Sequence, residues 1–151
     1  MSTAVGTVPE LRAAMRGEVV VPGDPGYDEA RKVWNADIDR SPAVIARCAT
    51  TDDVATAVAF GQLAGLEIAV RSGAHNVAGR CTCDDGVMID LSGMRTVQVD
   101  PETRRARGQA GALLGDLDAA TQEHGLAVPL GAISHTGVGG LTLGGGMGGL
   151  T

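Results

Sequence analysis

The stretch Arg71-Ser72-Gly73-Ala74-His75-Asn76-Val77-Ala78-Gly79 sets one histidine among residues too small to wall it in. An imidazole near neutral pH can carry a proton, bind a metal or attack an electrophile. A run of glycine, alanine and serine lets backbone N–H groups approach a ligand that a larger Cβ substituent would hold off. His75 is therefore placed to touch something outside a core. A second stretch, Gly131 to Gly149, holds nine glycines in nineteen residues. That density is unfavourable inside a helix or strand, where each glycine costs conformational entropy. Its expected use is close approach of backbone to something flat or anionic. A phosphate-binding loop of the G-K-[ST] kind is excluded, because that triplet is absent. A dinucleotide fingerprint needs a strand before it, a helix after it and an acidic residue about twenty positions on, and Thr151 is the last residue. A flexible linker is the plain alternative, although Val138, Leu141, Leu143 and Met147 make the stretch more apolar than Gly/Ser linkers are.

The three cysteines, Cys48, Cys81 and Cys83, are odd in number and fit no disulfide framework. Cys81-x-Cys83 would supply half of a metal site, with the other ligands coming from scattered histidines. Structural zinc sites use wider paired spacings, so the reading is reduced thiols and no metal.

These residues must be positioned by elements that alternate along the chain. Pro9 to Arg16 and residues 25 to 34 read as short helices. Residues 43 to 48 read as a strand, and Thr50 with Asp53 three positions on reads as the cap of a helix whose apolar face ends at Gly65. Residues 67 to 71 read as a strand again, giving a β-α-β unit with parallel strands. Residues 86 to 92 and 95 to 100 are strands, and the turn at Pro101 and Glu102 leads into an alternating strand around Arg105, Arg107 and Gln109, antiparallel to its predecessor. Residues 112 to 124 read as a helix ended by Gly125. The fold class is α+β, a small parallel part followed by antiparallel strands and helices.

The chain has 151 residues, 44% of them hydrophobic, which suits one domain with a real core. Aromatics are confined to Tyr27, Trp34 and Phe60, so that core is aliphatic. The net charge of −6 and a single lysine, Lys32, argue against a nucleic-acid partner. No apolar run is long enough to span a bilayer, and the N-terminus does not resemble a secretory signal. A soluble, cytoplasmic protein with no membrane partner is expected.

The order of motifs, R-S-G-x-H, then G-V-M-I-D-L-S, then V-x-V-D, then G-V-G-G-L-T-L-G-G-G, resembles the FAD-binding domain of the vanillyl-alcohol-oxidase and p-cresol-methylhydroxylase (PCMH-type) superfamily. Within it, the chain is most similar to the berberine-bridge-enzyme-like oxidases. The resemblance runs from about Tyr27 to Thr151. It implies a helical lead-in over residues 1–36 and an FAD-binding domain over 37–151 that is incomplete at its C-terminus, with the substrate domain absent. It implies that Arg71, Ser72, Gly73, Ala74 and His75 form the turn that holds the FAD pyrophosphate, that Asn76 and Gly79 also bind the cofactor, and that Gly131, Ser134, Gly137, Gly139 and Gly140 pass along the flavin ring and pyrophosphate. His75 falls on the histidine that many members bond covalently to the flavin C8 methyl, and Asp90 falls on a structural position. The function implied is oxidation of a C–H bond next to oxygen or nitrogen in a small molecule, with O2 as acceptor. The alternatives are a module that binds flavin weakly or not at all, and a noncovalent flavin reductase, which His75 disfavours.

Two departures from the family pattern stand out. Ala74 replaces the second glycine of the usual Gly-Gly-His, tolerable at negative φ and costly at positive φ. Ile133 stands where doubly linked members carry cysteine. No catalytic base is assigned. His124 and His135 qualify by residue type alone, and His124 at a helix C-terminus is explained by the helix dipole.

Overall fold

A computed structural model describes residues 5–146. The expected halves are both present: a four-stranded sheet with parallel pairs and a separate antiparallel pair. Helix α1 (Val8–Ala14) opens at Thr7, whose hydroxyl accepts the Glu10 N–H while Glu10 reaches back to the Thr7 N–H, a reciprocal cap. Strand β1 (Glu18–Val20) follows, then a single turn of helix, α2 (Tyr27–Ala30). Strand β2 (Val44–Arg47), helix α3 (Thr51–Ala64) and strand β3 (Ile68–Arg71) form the expected β-α-β unit. Strand β4 (Val87–Asp90) inserts between β2 and β3, parallel to both, with Val87 opposite Val44 and Ile68. The sheet order is β1-β2-β4-β3.

Central β4 is buried at all four residues, as a parallel strand covered on both faces must be. Val87 and Ile89 join Leu11, Ala57 and Phe60 in the main core, and Met88 packs with Ile45 and Tyr27 on the other face. The core is aliphatic apart from Phe60 and Tyr27.

Asp53 does more than cap α3. Its carboxylate accepts N–H bonds from Arg16, Gly17, Ala49 and Thr50, so one side chain ties the ends of α1 and β2 to the start of α3. Burial pushes its pKa up, and those four N–H groups outweigh that and hold it below the ordinary carboxylate value. Asp90 is buried at the end of β4, accepts the Ser92 N–H and lies near Arg47 and Arg71.

Strands β5 (Val97–Asp100) and β6 (Arg105–Gly108) pair antiparallel as expected. Helix α4 (Leu114–Gln122) then leads to helix α5 (Val138–Gly144).

Four differences from the sequence reading have physical causes. The lead-in supplies, besides its helices, strand β1, which pairs antiparallel with β2; three residues are too few to show a period of two. The helix expected over 25–34 stops after Ala30: the Lys32 N–H bonds back only to Glu29, and the Trp34 N–H is drawn to the Ala74 carbonyl of another loop instead of continuing the helix. The strand expected through Gln109 ends at Gly108: the Gln109 N–H still donates to the Thr96 carbonyl, but the Thr96 N–H is taken by the Gln109 side chain, and the chain then turns at Ala110. Most notably, the glycine-rich stretch carries a helix, α5, against the expectation that its glycines exclude one. Met147 to Thr151, which the glycine reading included, lie outside the described residues, as do residues 1–4. No described helix is long and apolar enough to cross a membrane.

Candidate flavin site

Residues 71–80 leave the end of β3 and meet the glycine stretch backbone to backbone. A Cβ on Gly73 would lie 2.3 Å from the Gly137 nitrogen, and one on Gly137 would lie 2.3 Å from the Gly73 nitrogen. Neither position tolerates a side chain. The segment 110–115, which turns into the start of α4, fastens both loops. The Ser72 hydroxyl donates to the Ala110 carbonyl at 2.6 Å, and a Cβ on Gly139 would meet that same oxygen at 2.6 Å. The Val138 N–H donates to Ala112, and the Leu114 and Gly115 N–H groups donate to Thr136 and Ser134. Glycine density here serves close approach, and what is approached is first the protein's own backbone.

Between these loops lies a cavity of about 630 Å³, within the ~300–1,000 Å³ typical of ligand sites. Its wall includes Ser72, Gly73, Ala74, His75 and Asn76 from one loop, and Gly137, Gly139 and Gly140 from the other. Val70, Val77, Leu91, Leu141 and Leu143 give it an apolar side, and Arg80 is its charged side chain. Of the residues singled out in the sequence, Arg71, Gly79, Gly131 and Ser134 lie outside the wall. The Arg71 guanidinium turns to the Ala30 carbonyl and lies 3.9 Å from Asp90. Gly79 takes φ 71° where a Cβ would strike Ile38, and its N–H closes a turn onto Asn76. Gly131 packs against Leu114 and Leu141, and Ser134 backs Gly115.

His75 is the focus of the loop. Its Nε2 lies 2.7 Å from His135 Nδ1, with ring centroids 4.6 Å apart. Trp34 stacks on the same imidazole at 5.1 Å, and the Trp34 N–H donates to the Ala74 carbonyl. Burial and then the neighbouring His135 charge lower the His75 pKa, against a smaller opposing pull from the His135 backbone. The neutral, nucleophilic imidazole is thus favoured at neutral pH. Asn35 braces the loop from outside, its amide donating to the Val77 carbonyl at 2.9 Å. Trp34 and Asn35 escaped the sequence reading because they lie some forty positions upstream with no motif around them. His135 was noticed by type, and sixty residues of separation concealed its contact with His75.

The residues fit an anionic, flat group. Among the described residues, the backbone N–H groups of Gly73, Ala74, His75, Asn76, Val77 and Ala78 have no hydrogen-bond partner. Consecutive free N–H groups in a turn form an anion-binding concavity, and the apolar side of the cavity suits an aromatic ring. Among the described residues, the wall carries no carboxylate or phenol. A smaller cleft, lined by Glu18, Arg47 and Cys48, offers no comparable chemistry: burial pushes the Cys48 thiol up to about 12, so it stays protonated. Cys81 and Cys83 are buried and unpaired, and no cluster of three ligating side chains occurs among the described residues.

A family model described as an FAD binding domain matches residues 42–151. An FAD-linked oxidoreductase of Dictyostelium discoideum is 38% identical over 149 residues, covering 98% of this chain and 32% of that protein. The (R)-6-hydroxynicotine oxidase of Paenarthrobacter nicotinovorans is 40% identical over 138 residues, 91% of this chain and 30% of that one. The crystal structure of 6-hydroxy-D-nicotine oxidase from Arthrobacter nicotinovorans superposes with a TM-score of 0.87 at 36% identity, over 98% of this chain and 31% of that one. BBE-like 1 of Physcomitrella patens superposes with a TM-score of 0.85 at 26% identity, over 94% and 31%. The chain thus spans about a third of the length of the relatives it matches. With a PCMH-type fold, a cavity between two small-residue loops and a match over most of its length, the chain belongs to the FAD-binding domains of the berberine-bridge-like FAD-linked oxidoreductases.

Proposed function

We propose that the cavity between loop 71–80 and the glycine stretch holds FAD, with the free N–H groups of Gly73 to Ala78 on the pyrophosphate and His75 as the covalent attachment residue. The observation that carries this reading is the run of free N–H groups beside His75 in the wall of the cavity. Ser72, Gly137, Gly139 and Gly140 then keep the two loops in register around the cofactor, and Arg71, Gly79, Gly131 and Ser134 support them from behind the wall. Bound FAD supplies a two-electron acceptor for hydride from substrate. The protein's part is orientation, exclusion of water by the apolar wall and neutralisation of phosphate charge by backbone dipoles.

The substrate class we propose is a small molecule with a C–H bond next to oxygen or nitrogen, with O2 receiving the electrons. One relative is named as an (R)-6-hydroxynicotine oxidase, and the core of a crystallised 6-hydroxy-D-nicotine oxidase superposes on this one. Abstraction of a proton from such a substrate needs a positioned base, and among the described residues none of the cavity's side chains is a carboxylate or phenol. Residues 1–151 by themselves are therefore expected to bind flavin without turnover.

The attachment is tested by acid precipitation after loading with FAD. Wild-type protein should retain yellow colour in the pellet, and His75→Ala should release it while keeping the same circular dichroism. Acid-stable flavin in His75→Ala would assign the link to another residue.

A further inference from the structure

The one polar contact of the His75 ring runs to another histidine, and two imidazoles 2.7 Å apart cannot both present a lone pair, or both a proton, along that line. One proton must lie between His75 Nε2 and His135 Nδ1. Two arrangements satisfy this. If His135 donates, the His75 proton sits on Nδ1 and the ring has no free lone pair. If His75 donates, its Nδ1 carries the lone pair and His135 Nδ1 is the acceptor. Only the second arrangement leaves a lone pair on the His75 ring, so it is the one in which His75 can react with an electrophile while His135 holds its proton.

We infer that His135 is a positioning residue for His75: it accepts the Nε2–H, fixes the tautomer whose Nδ1 lone pair is free, and takes up that proton when a bond forms at Nδ1. Trp34 completes the arrangement by stacking on the ring, so the imidazole is held in plane by one neighbour and in tautomer by the other. The bearing of this pair on the cofactor rests on the reading of His75 as the attachment residue. The pair itself stands apart from that reading.

Charged groups on the packed segments do not compete for the role. The segment bearing Trp34 carries Arg31, bound to Asp28 and Asp39, Lys32, bound to Glu29, and Asp37. The loop of His75 carries Arg71, turned to Ala30, and Arg80. Residues 131–137 carry no charge besides His135. Only His135 acts electrostatically on His75 among the described residues, and its positive charge would depress the His75 pKa.

The pair is tested first without flavin, using diethyl pyrocarbonate as electrophile. In that reaction a bond forms between His75 Nδ1 and a carbonyl carbon, ethyl carbonate leaves with the electron pair, and the Nε2 proton passes to His135. Mass spectrometry reads modification at His75 across pH, and long-range ¹H–¹⁵N correlation reads the tautomer. Wild-type protein should show neutral His75 protonated at Nε2. His135→Leu should slow modification of His75 by about 10- to 100-fold at pH 7 and move its inflection to higher pH, because a depressing charge is gone. His135→Asn places an amide oxygen near the old Nδ1; it should restore the tautomer but, unable to take up the proton, leave modification slow. Since His135 is exposed, these variants should keep the wild-type melting temperature. A His75 protonated at Nδ1, or an unchanged rate and inflection in His135→Leu, would overturn the inference. With FAD supplied, His135→Leu should also accumulate acid-stable flavin more slowly. Acid-stable flavin in His75→Ala, alongside the expected tautomer, would remove the attachment reading and leave the pair standing.

Discussion

Ala74 adopts φ 59°, a left-handed backbone conformation that glycine enters freely and alanine enters against a steric penalty of roughly 1–2 kcal/mol. The family pattern has glycine at this place, and the sequence made the question explicit: alanine is tolerable at negative φ and costly at positive φ. The structure places it on the costly side. What keeps it there is the neighbourhood, because the Ala74 carbonyl accepts the Trp34 N–H and the preceding Gly73 is pressed against Gly137. The strain therefore sits beside His75, in the loop that has to present its N–H groups. Ala74→Gly is expected to raise stability by about 1 kcal/mol, the relieved strain exceeding the extra freedom gained by the unfolded chain. Denaturant melts of the two proteins give the comparison, and a lower midpoint for the glycine variant would show that the methyl packs better than the backbone suffers. At this scale His75 was legible because small neighbours expose a lone functional side chain. His135 and Trp34 were legible only as residue types, since pairwise geometry across sixty or forty residues leaves no periodic trace.

Among the elements, α3 was readable from its first turn, where Thr50 and Asp53 announce a cap. What the pattern could not show is that Asp53 also holds the backbone of Arg16 and Gly17, thirty-seven and thirty-six residues upstream. Removing the carboxylate leaves four N–H groups short of an acceptor, and hydrogen bonds to a buried charge are each worth about 1.5–3 kcal/mol, less than additively. Asp53→Ala should destabilise the protein by about 3 kcal/mol or more. The pH dependence has a definite sign. The folded pKa of Asp53 is lowered, so its contribution is complete above the unfolded value near 3.9 and is lost as pH falls through the lower folded value. Acid titration of stability should thus be steeper below about pH 4 in wild type than in Asp53→Ala; parallel curves would remove Asp53 from the account. The glycine stretch failed in the opposite direction. Its composition argued against a helix, yet α5 forms because Gly137 and Gly139 allow its first turn to lie against Gly73 and Ala110, a packing gain that propensity does not contain.

For the molecule as a whole, the parallel β-α-β unit and the antiparallel hairpin were legible from apolar runs and turn residues, while the insertion of β4 between β2 and β3 was not, because strand order depends on which edges meet. That order sets a gradient of stability. Strand β4 is hydrogen-bonded on both sides and buried at every residue. Helix α5 has no buried residue, contains Gly139, Gly140 and Gly144, and leaves Leu143 92% exposed. A seven-residue helix with that composition gains little from propensity, and here little from burial. Its order depends on the contacts of its first turn and on whatever fills the cavity that its last turns line. Hydrogen exchange of the 151-residue chain without flavin should therefore be slowest at Val87 to Asp90 and fast from Leu141 to Gly146, with Val138, bonded to Ala112, in between. Saturating FAD should slow exchange at Gly73 to Ala78 and along α5 while leaving β4 unchanged, since only the loops meet the ligand. Equal protection of α5 and β4 without flavin would mean that the glycine stretch is held by the protein alone and that the cavity is rigid before any cofactor arrives.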